Sequence, residues 1–141
     1  MAIRQLSVFV ENKQGSLHDI TDALAKANIN LRSMCVADTS NYGIVRIIAD
    51  NPDKAKALLD QDGQAANVRW INAFAVPDQP GGLAKVLSLL EGCGVNIEYM
   101  YALITSEDGK AYSVMRTTDT EMTDKILTEN GIELLTEEKL Q

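Results

Sequence analysis

Asp78-Gln79-Pro80-Gly81-Gly82-Leu83 has a counterpart 66 residues earlier, Asn12-Lys13-Gln14-Gly15-Ser16-Leu17. Each stretch begins with Asp or Asn, turns through glycine and ends on a leucine. Asn, Asp, Pro and Gly are turn residues, each for its own conformational reason. The match extends outward: Ile20 and Leu24 fall on Val86 and Leu90, Asn30 and Leu31 on Asn96 and Ile97, Met34 on Met100, and Gly43 on Gly109. Further on, the offset drifts with small loop differences, and Asp53-Lys54 aligns with Asp124-Lys125. Self-similarity at a fixed spacing marks a duplicated unit. The chain is expected to hold two modules, residues 1–70 and 71–141, joined near Trp70 and Ile71.

Each unit predicts strand, helix, strand, strand, helix, strand. Leu6, Val8 and Val10 alternate with Ser7 and Phe9, as on a half-buried strand. After the glycine turn, Leu17, Ile20, Leu24 and Ala27 keep helical spacing and put one apolar stripe against a sheet. Two strands come next, around turn residues Asp38, Ser40, Asn41 and Gly43. Asn51-Pro52 starts a second helix, Asn as cap and Pro at the first helical position, and Gly63 ends it. In the second unit, Leu83, Val86, Leu87 and Leu90 form the first helix stripe, and Thr118 and Glu121 have capping-box spacing ahead of the second helix. No Pro, Gly or polar linker separates Asn67 from Val76, so the last strand of one unit is expected to continue into the first of the next. The fold class predicted is α+β: two βαββαβ modules in tandem on a ferredoxin-like plan, with antiparallel sheets and helices on one face.

The formal charge of −7, with thirteen Lys and Arg scattered singly, argues against nucleic acid, whose phosphates need clustered cations. No segment approaches the roughly 18 apolar residues of a membrane span, and the N-terminus has no apolar signal core. The two cysteines, Cys35 and Cys93, stand far apart, which fits reduced thiols in a cytoplasm. One histidine, His18, and no recognisable nucleophile motif give no catalytic constellation, and no catalytic residue is expected. Metal-ligand spacing and Gly-rich phosphate motifs are absent, so neither metal nor cofactor is expected.

Chemistry is left to the turns. A helix N-terminus offers unpaired backbone N–H groups and the positive end of a dipole, and glycine there admits a ligand to the backbone. Gly15-Ser16 and Gly81-Gly82 are such places. The plain alternative is a tight turn with no ligand. Asn12 and Asp78 end the first strands, and Asn30 and Asn96, which begin the second, are expected beside the turns. Together they would supply the amide and carboxylate partners that a zwitterion's ammonium group needs, next to donors for its carboxylate.

At these residues the chain resembles the ACT-domain family. Asp78 to Leu83 is similar to its signature of an acidic residue, a Pro-Gly turn and a leucine opening a helix, and Cys93-Gly94-Val95-Asn96-Ile97 continues it. Asn12 to Leu17 and Ala27-Asn28-Ile29-Asn30-Leu31 are the first copy, with Gln14 in place of Pro80 and Asn12 in place of Asp78. The resemblance implies a regulatory module that binds an effector amino acid at domain interfaces, here with no catalytic domain attached. The candidate ligand-binding residues are Asn12, Gly15, Ser16, Leu17, Asn28, Asn30, Asp78, Gly81, Gly82, Leu83, Asn96 and Tyr99.

Strand alternation puts Tyr99 and Tyr101 on one face, as packing or as a pocket wall, and Glu98 and Met100 on the other. The face of Met34 and Met100, with Val36, Ala102 and Ile104, is apolar enough to need a cover, and a homodimer is the expected one. Three functions remain: an amino-acid sensor acting on a partner enzyme, a ligand-free interaction or dimerisation module, and, least supported, an enzyme.

Overall fold

The computed structural model describes residues 2–38 and 41–141; Ser40 of the expected turn lies outside them. Contacts divide the chain into two compact units, in the main Arg4–Arg69 and Trp70–Leu140, the N-terminal and C-terminal modules. The elements run β1 (Ile3–Glu11), α1 (Ser16–Lys26), β2 (Leu31–Asp38), β3 (Tyr42–Ala49), α2 (Pro52–Gln61), β4 (Ala66–Pro77), α3 (Gly82–Leu90), β5 (Ile97–Ala102), β6 (Lys110–Thr117), α4 (Thr120–Glu129) and β7 (Glu133–Leu134). A short 3-10 turn, Glu138–Leu140, ends the series. Among the described residues, no helix is long and apolar enough to cross a membrane.

In the N-terminal module, β1 and β2 flank β3, and both are antiparallel to it. The register Val8↔Val45↔Val36 stacks apolar side chains on one face. Leu6, Val8, Val45 and Ile47 there meet Ile20 and Leu24 of α1 and Ala55 and Leu59 of α2, while Ala66 and Val68 pack in from β4. Burying a side chain such as Leu24, which is 0% exposed, stabilises by about 1.5–3 kcal/mol relative to exposure.

The C-terminal module repeats the plan with sheet order β7-β4-β6-β5. Phe74, Val76 and Met115 meet Val86 and Leu90 of α3 and Leu127 of α4. The two strand methionines are partly buried within their own modules, Met34 against the N-terminal core and Met100 against the C-terminal one. Val36 (43% exposed) and Ile104 (72% exposed), from the same expected face, stay open to solvent.

The helix caps obey local chemistry. Asn51 accepts from the Lys54 amide at 3.1 Å with Pro52 just inside, as its sequence predicts. At α4 the cap is Asp119, which accepts from the Met122 amide at 2.9 Å, and not Thr118. Thr118 is held instead by Asn96, its amide donating to the Asn96 carbonyl at 3.0 Å and its hydroxyl accepting from the Asn96 amide at 3.0 Å.

Candidate functional site

Both β–α turns are built by one backbone device. Gly15 (φ 89°) and Gly81 (φ 82°) cap α1 and α3 in the left-handed region, which glycine enters without steric cost, and neither helix receives a side-chain cap. A Cβ at either would meet nothing within 4 Å, so within the chain it is the backbone conformation, and not a crowded neighbour, that calls for glycine. Gly82 differs. It is buried, and a Cβ there would lie 2.4 Å from the Pro77 carbonyl oxygen, because α3 starts hard against the end of β4.

Beside the second turn lies a cavity of about 430 Å³. Three segments converge on it: the β4 end with the start of α3, the β5–β6 loop at Asp108–Lys110, and the α4–β7 loop from Asn130 to Glu133. Lys85, one turn into α3, lines it beside Gly82. Lys110 donates to Glu133 at 2.6 Å and to Glu107 at 3.2 Å, and these hydrogen bonds, Glu133 first, raise its pKa. Glu133 is held below the usual carboxylate range by Lys110 and then by Lys139, which also donates to it. Tyr112 donates to Glu107 at 3.2 Å. The Lys139 ammonium lies 5.6 Å from the centre of the Tyr112 ring. Cations and carboxylates thus meet at one groove rim, an arrangement able to hold both ends of a zwitterion.

The N-terminal module has a groove at the matching place, about 270 Å³, lined by Phe9, Val10 and Glu11 of β1, by Lys13, by Ser16 and Asp19 of α1, and by Gln64. Lys13 sits 3.2 Å from Glu11. The side-chain oxygen of Gln64 is buried without a hydrogen-bond partner. On the other side of the turn is a hollow of about 100 Å³ that gathers Asn12, Ser16 and Leu17 around Val36 and Gly43.

The structure does not bring Asn28, Asn30, Asn96 or Tyr99 to the turns. β1 and β2 both run antiparallel to β3 and so parallel to each other, which puts the start of β2 at the far end of the sheet from the end of β1. The 11 residues of α1 span about 16 Å between those ends. Asn30 closes that far end: its amide donates to the Asp50 carboxylate at 3.1 Å, and the Asp50 amide donates back to its carbonyl at 3.0 Å. Asn28, just past α1, sits at φ 57°, a left-handed position that Asn tolerates better than most residues. Asn96 closes the C-terminal sheet against Thr118 in the same way, away from the Asp78–Gly82 turn. Tyr99 lies opposite Arg116, six residues along β6 from the Lys110↔Pro77 pair at the groove, about 20 Å away. It stacks on Tyr101 with ring centroids 6.5 Å apart. Asp78 donates its amide to the Gly109 carbonyl at 3.0 Å, and Leu83 is 39% exposed, neither lining the larger groove.

All of residues 1–141 match the family described as "ACT domain pair". The chain belongs to that family. Among solved structures, this ACT pair is similar to protein BT0572 from Bacteroides thetaiotaomicron, with 39% identity and TM-score 0.92 over 99% of this chain and 96% of that one. It is also similar to the regulatory subunit of aspartate kinase from Thermus thermophilus in its ligand-free form (15% identity, TM-score 0.68, 91% and 92% covered). The corresponding subunit from Thermus flavus gives 15% identity, TM-score 0.61, and 89% and 90% covered. At 15% identity, these two speak for the fold alone. No curated protein matches the chain in sequence. Membership of the family supports a regulatory, ligand-binding role.

Several residues that line the ACT pair's grooves escape a motif reading: Lys85, Asp108, Lys110, Glu133 and Gln64. They come from helices, loops and strand ends distant in sequence, and only the repeat offset hints at them, since Asp19 falls on Lys85. His18 is a surface residue with its side chain 78% exposed, 3.7 Å from Asp19. Among the described residues, no three His, Cys, Asp or Glu side chains gather as a metal site.

Proposed function

We propose that this ACT pair is a non-catalytic regulatory protein that binds a free amino acid in the groove beside the β4–α3 turn and passes its occupancy to a partner enzyme. The observation that carries this reading is the groove itself. Its volume of about 430 Å³ suits a small ligand, and cations (Lys85, Lys110) and carboxylates (Asp108, Glu133) line it together. A zwitterion's carboxylate meets Lys85 and the start of α3, and its ammonium group faces the acidic side. The free thiols Cys35 and Cys93 fit a reducing, cytoplasmic setting.

A thermal-shift screen against the twenty amino acids tests this. Binding to the native state alone adds about 2.7 kcal/mol at a hundred times the dissociation constant, which raises Tm by several degrees. The expected result is a rise with one amino acid or a few related ones, lost in Lys85→Met. No rise with any of them sinks the sensor reading.

A second reading, an interaction module, is favoured by one observation. Phe9 (64% exposed) and Tyr42 (57% exposed) lie on the N-terminal sheet face away from the helices, by the registers Phe9↔Ile44 and Glu11↔Tyr42. That reading predicts a homodimer through this face. Sedimentation of the wild type and of Phe9→Ser checks it, and a wild type that stays monomeric at every concentration excludes it.

A further inference from the structure

The strands of the C-terminal module set a row of side chains across the sheet face opposite the helices. Ala75 of β4 pairs with Tyr112 of β6 on one side and with Glu133 of β7 on the other. Phe74 and Val76, its neighbours along β4, point the other way, into the core. The 3-10 turn Glu138–Leu140 is moored to this row. The Lys139 ammonium donates to Glu133, and it lies 5.6 Å from the centre of the Tyr112 ring and 3.7 Å from the Glu107 carboxylate. Leu140, 4% exposed, is the turn's apolar anchor, and its amide donates to the Glu137 carbonyl at 3.1 Å.

Glu133 thus serves two structures at once. It lines the groove beside the β4–α3 turn, which Lys139 does not, and it holds the 3-10 turn through Lys139. That hydrogen bond is the first cause of the raised Lys139 pKa. The charges around it balance, since Lys110 and Lys139 share the carboxylates of Glu107 and Glu133. A further cation at Glu133 has to displace one of the two. Lys110 is held at 2.6 Å by Glu133 and at 3.2 Å by Glu107, so it keeps a hydrogen bond when Glu133 is shared. Lys139 is left with its 3.7 Å approach to Glu107, too long for a hydrogen bond, and is the cation that yields. The N-terminal module carries no carboxylate at this position. The Gln64 amide donates to the Leu59 carbonyl at 2.9 Å and the Ile132 amide to the Leu127 carbonyl at 2.9 Å, each just after a left-handed glycine, Gly63 or Gly131. Gln64 and Ile132 are therefore the same position, and Ala65 stands where Glu133 does.

We propose that Glu133 is a latch through which the groove governs the 3-10 turn: an ammonium group bound at Glu133 from the groove side frees Lys139 and loosens Glu138–Leu140. This rests on the reading of the groove as an amino-acid site, and it supplies the step by which occupancy is passed on. The coupling is reciprocal, because a ligand that competes with Lys139 binds more tightly when Lys139 is absent. Its size is that of an exposed ion pair, a factor of about two to five.

The test is amide hydrogen exchange on the full-length 15N-labelled protein, read by NMR at Leu140. Leu135 is the reference, because its amide donates to the Ala73 carbonyl at 2.9 Å and its side chain is fully buried. Glu133→Gln, which keeps the size and removes the charge, should speed exchange at Leu140 about two- to fivefold and leave Leu135 unchanged. Lys139→Met should do the same, and combining the two should add nothing. Each of the twenty amino acids is then added to the wild type. Any that raises Tm should speed exchange at Leu140 and bind Lys139→Met more tightly by the same factor. Unchanged exchange at Leu140 in Glu133→Gln overturns the proposal, as does equal acceleration at Leu135, which would mean that β7 has frayed. An amino acid that raises Tm and leaves Leu140 unaffected also overturns it, while the sensor reading stands. Faster exchange in Glu133→Gln with no amino acid raising Tm supports the latch and sinks the sensor reading.

Discussion

The first strand of each module carries three side chains into its own core: Leu6, Val8 and Val10 in the N-terminal module, and Asn72, Phe74 and Val76 in the C-terminal one. Two of the three positions are apolar in both, and the third is not. Leu6 is fully buried among aliphatic neighbours. Asn72, equally buried, donates to the Thr120 carbonyl at 2.9 Å and to Asp124 at 2.7 Å, and accepts from Thr117 at 3.2 Å. Thr117 in turn meets Thr123 at 2.9 Å. The same contrast recurs, reversed, at Gln64 and Ile132, where the N-terminal module carries the polar residue. A duplicated fold keeps its backbone devices, because φ near 80–90° at a helix start admits little but glycine, as at Gly15 and Gly81. It is free to change which partner satisfies a buried side chain, and there the modules part.

The largest effect that would sharpen this contrast is expected at the start of the first helix. Gly82→Val places a Cβ 2.4 Å from the Pro77 carbonyl oxygen, and backbone on both sides must move. A loss of about 3 kcal/mol is expected by urea denaturation. The matching residue in the N-terminal module is Ser16, which already carries a Cβ, so Ser16→Val should cost under about 1 kcal/mol. Equal losses would mean that the two helices dock alike after all. Next in size is Asn72→Ala. It removes a donor from Asp124 and an acceptor from Thr117 inside the core, and about 2 kcal/mol should be lost. Asn72→Leu, which copies the N-terminal module, should recover little of this, since the same partners stay unmade. Full recovery would show that the network is dispensable.

Much of this was legible in the sequence. The repeat, the order of elements, the glycine turns and the Asn51 cap are all local signals, and local backbone chemistry enforces them. What the sequence hid was direction. Asn30 and Asn96 read as neighbours of the glycine turns because they begin the second strands, which the fold plan was expected to bring there, but a helix that crosses back over the sheet delivers the chain to the opposite end. Both asparagines are spent on closing that end, Asn30 with Asp50 and Asn96 with Thr118. The grooves were hidden for the converse reason. Gly82, Lys110 and Glu133 are far apart along the chain and meet only once β6 has paired with β4 and α4 has returned to the same edge. The exception is Asp19 against Lys85, a charge reversal visible in the repeat alignment alone.

A smaller effect, of opposite sign, is expected at the loop after the second helix. Gln64→Ile replaces an oxygen that is buried without a partner by the side chain the C-terminal module uses there. Stability should rise by about 1 kcal/mol, read as an increase in the denaturation midpoint at unchanged slope. A decrease would mean that the glutamine is held by packing that isoleucine cannot reproduce.

The smallest effect concerns acid. Glu107 and Glu133 have depressed pKa values, both through hydrogen bonds from Lys110 first, with Lys139 adding to each. A carboxyl whose folded pKa lies below its unfolded value of about 4.5 contributes stability that is fully present above that pH and is lost as pH falls through the folded pKa. These groups are largely exposed, so water and salt screen them and the contribution is modest. Lys139→Met should therefore lower Tm slightly at neutral pH and leave it unchanged once both carboxyls are protonated, well below pH 4.5. Added salt should shrink the neutral-pH difference. A Tm difference that persists in acid would assign the role of Lys139 to its ammonium over the Tyr112 ring and not to its ion pairs with the two carboxylates.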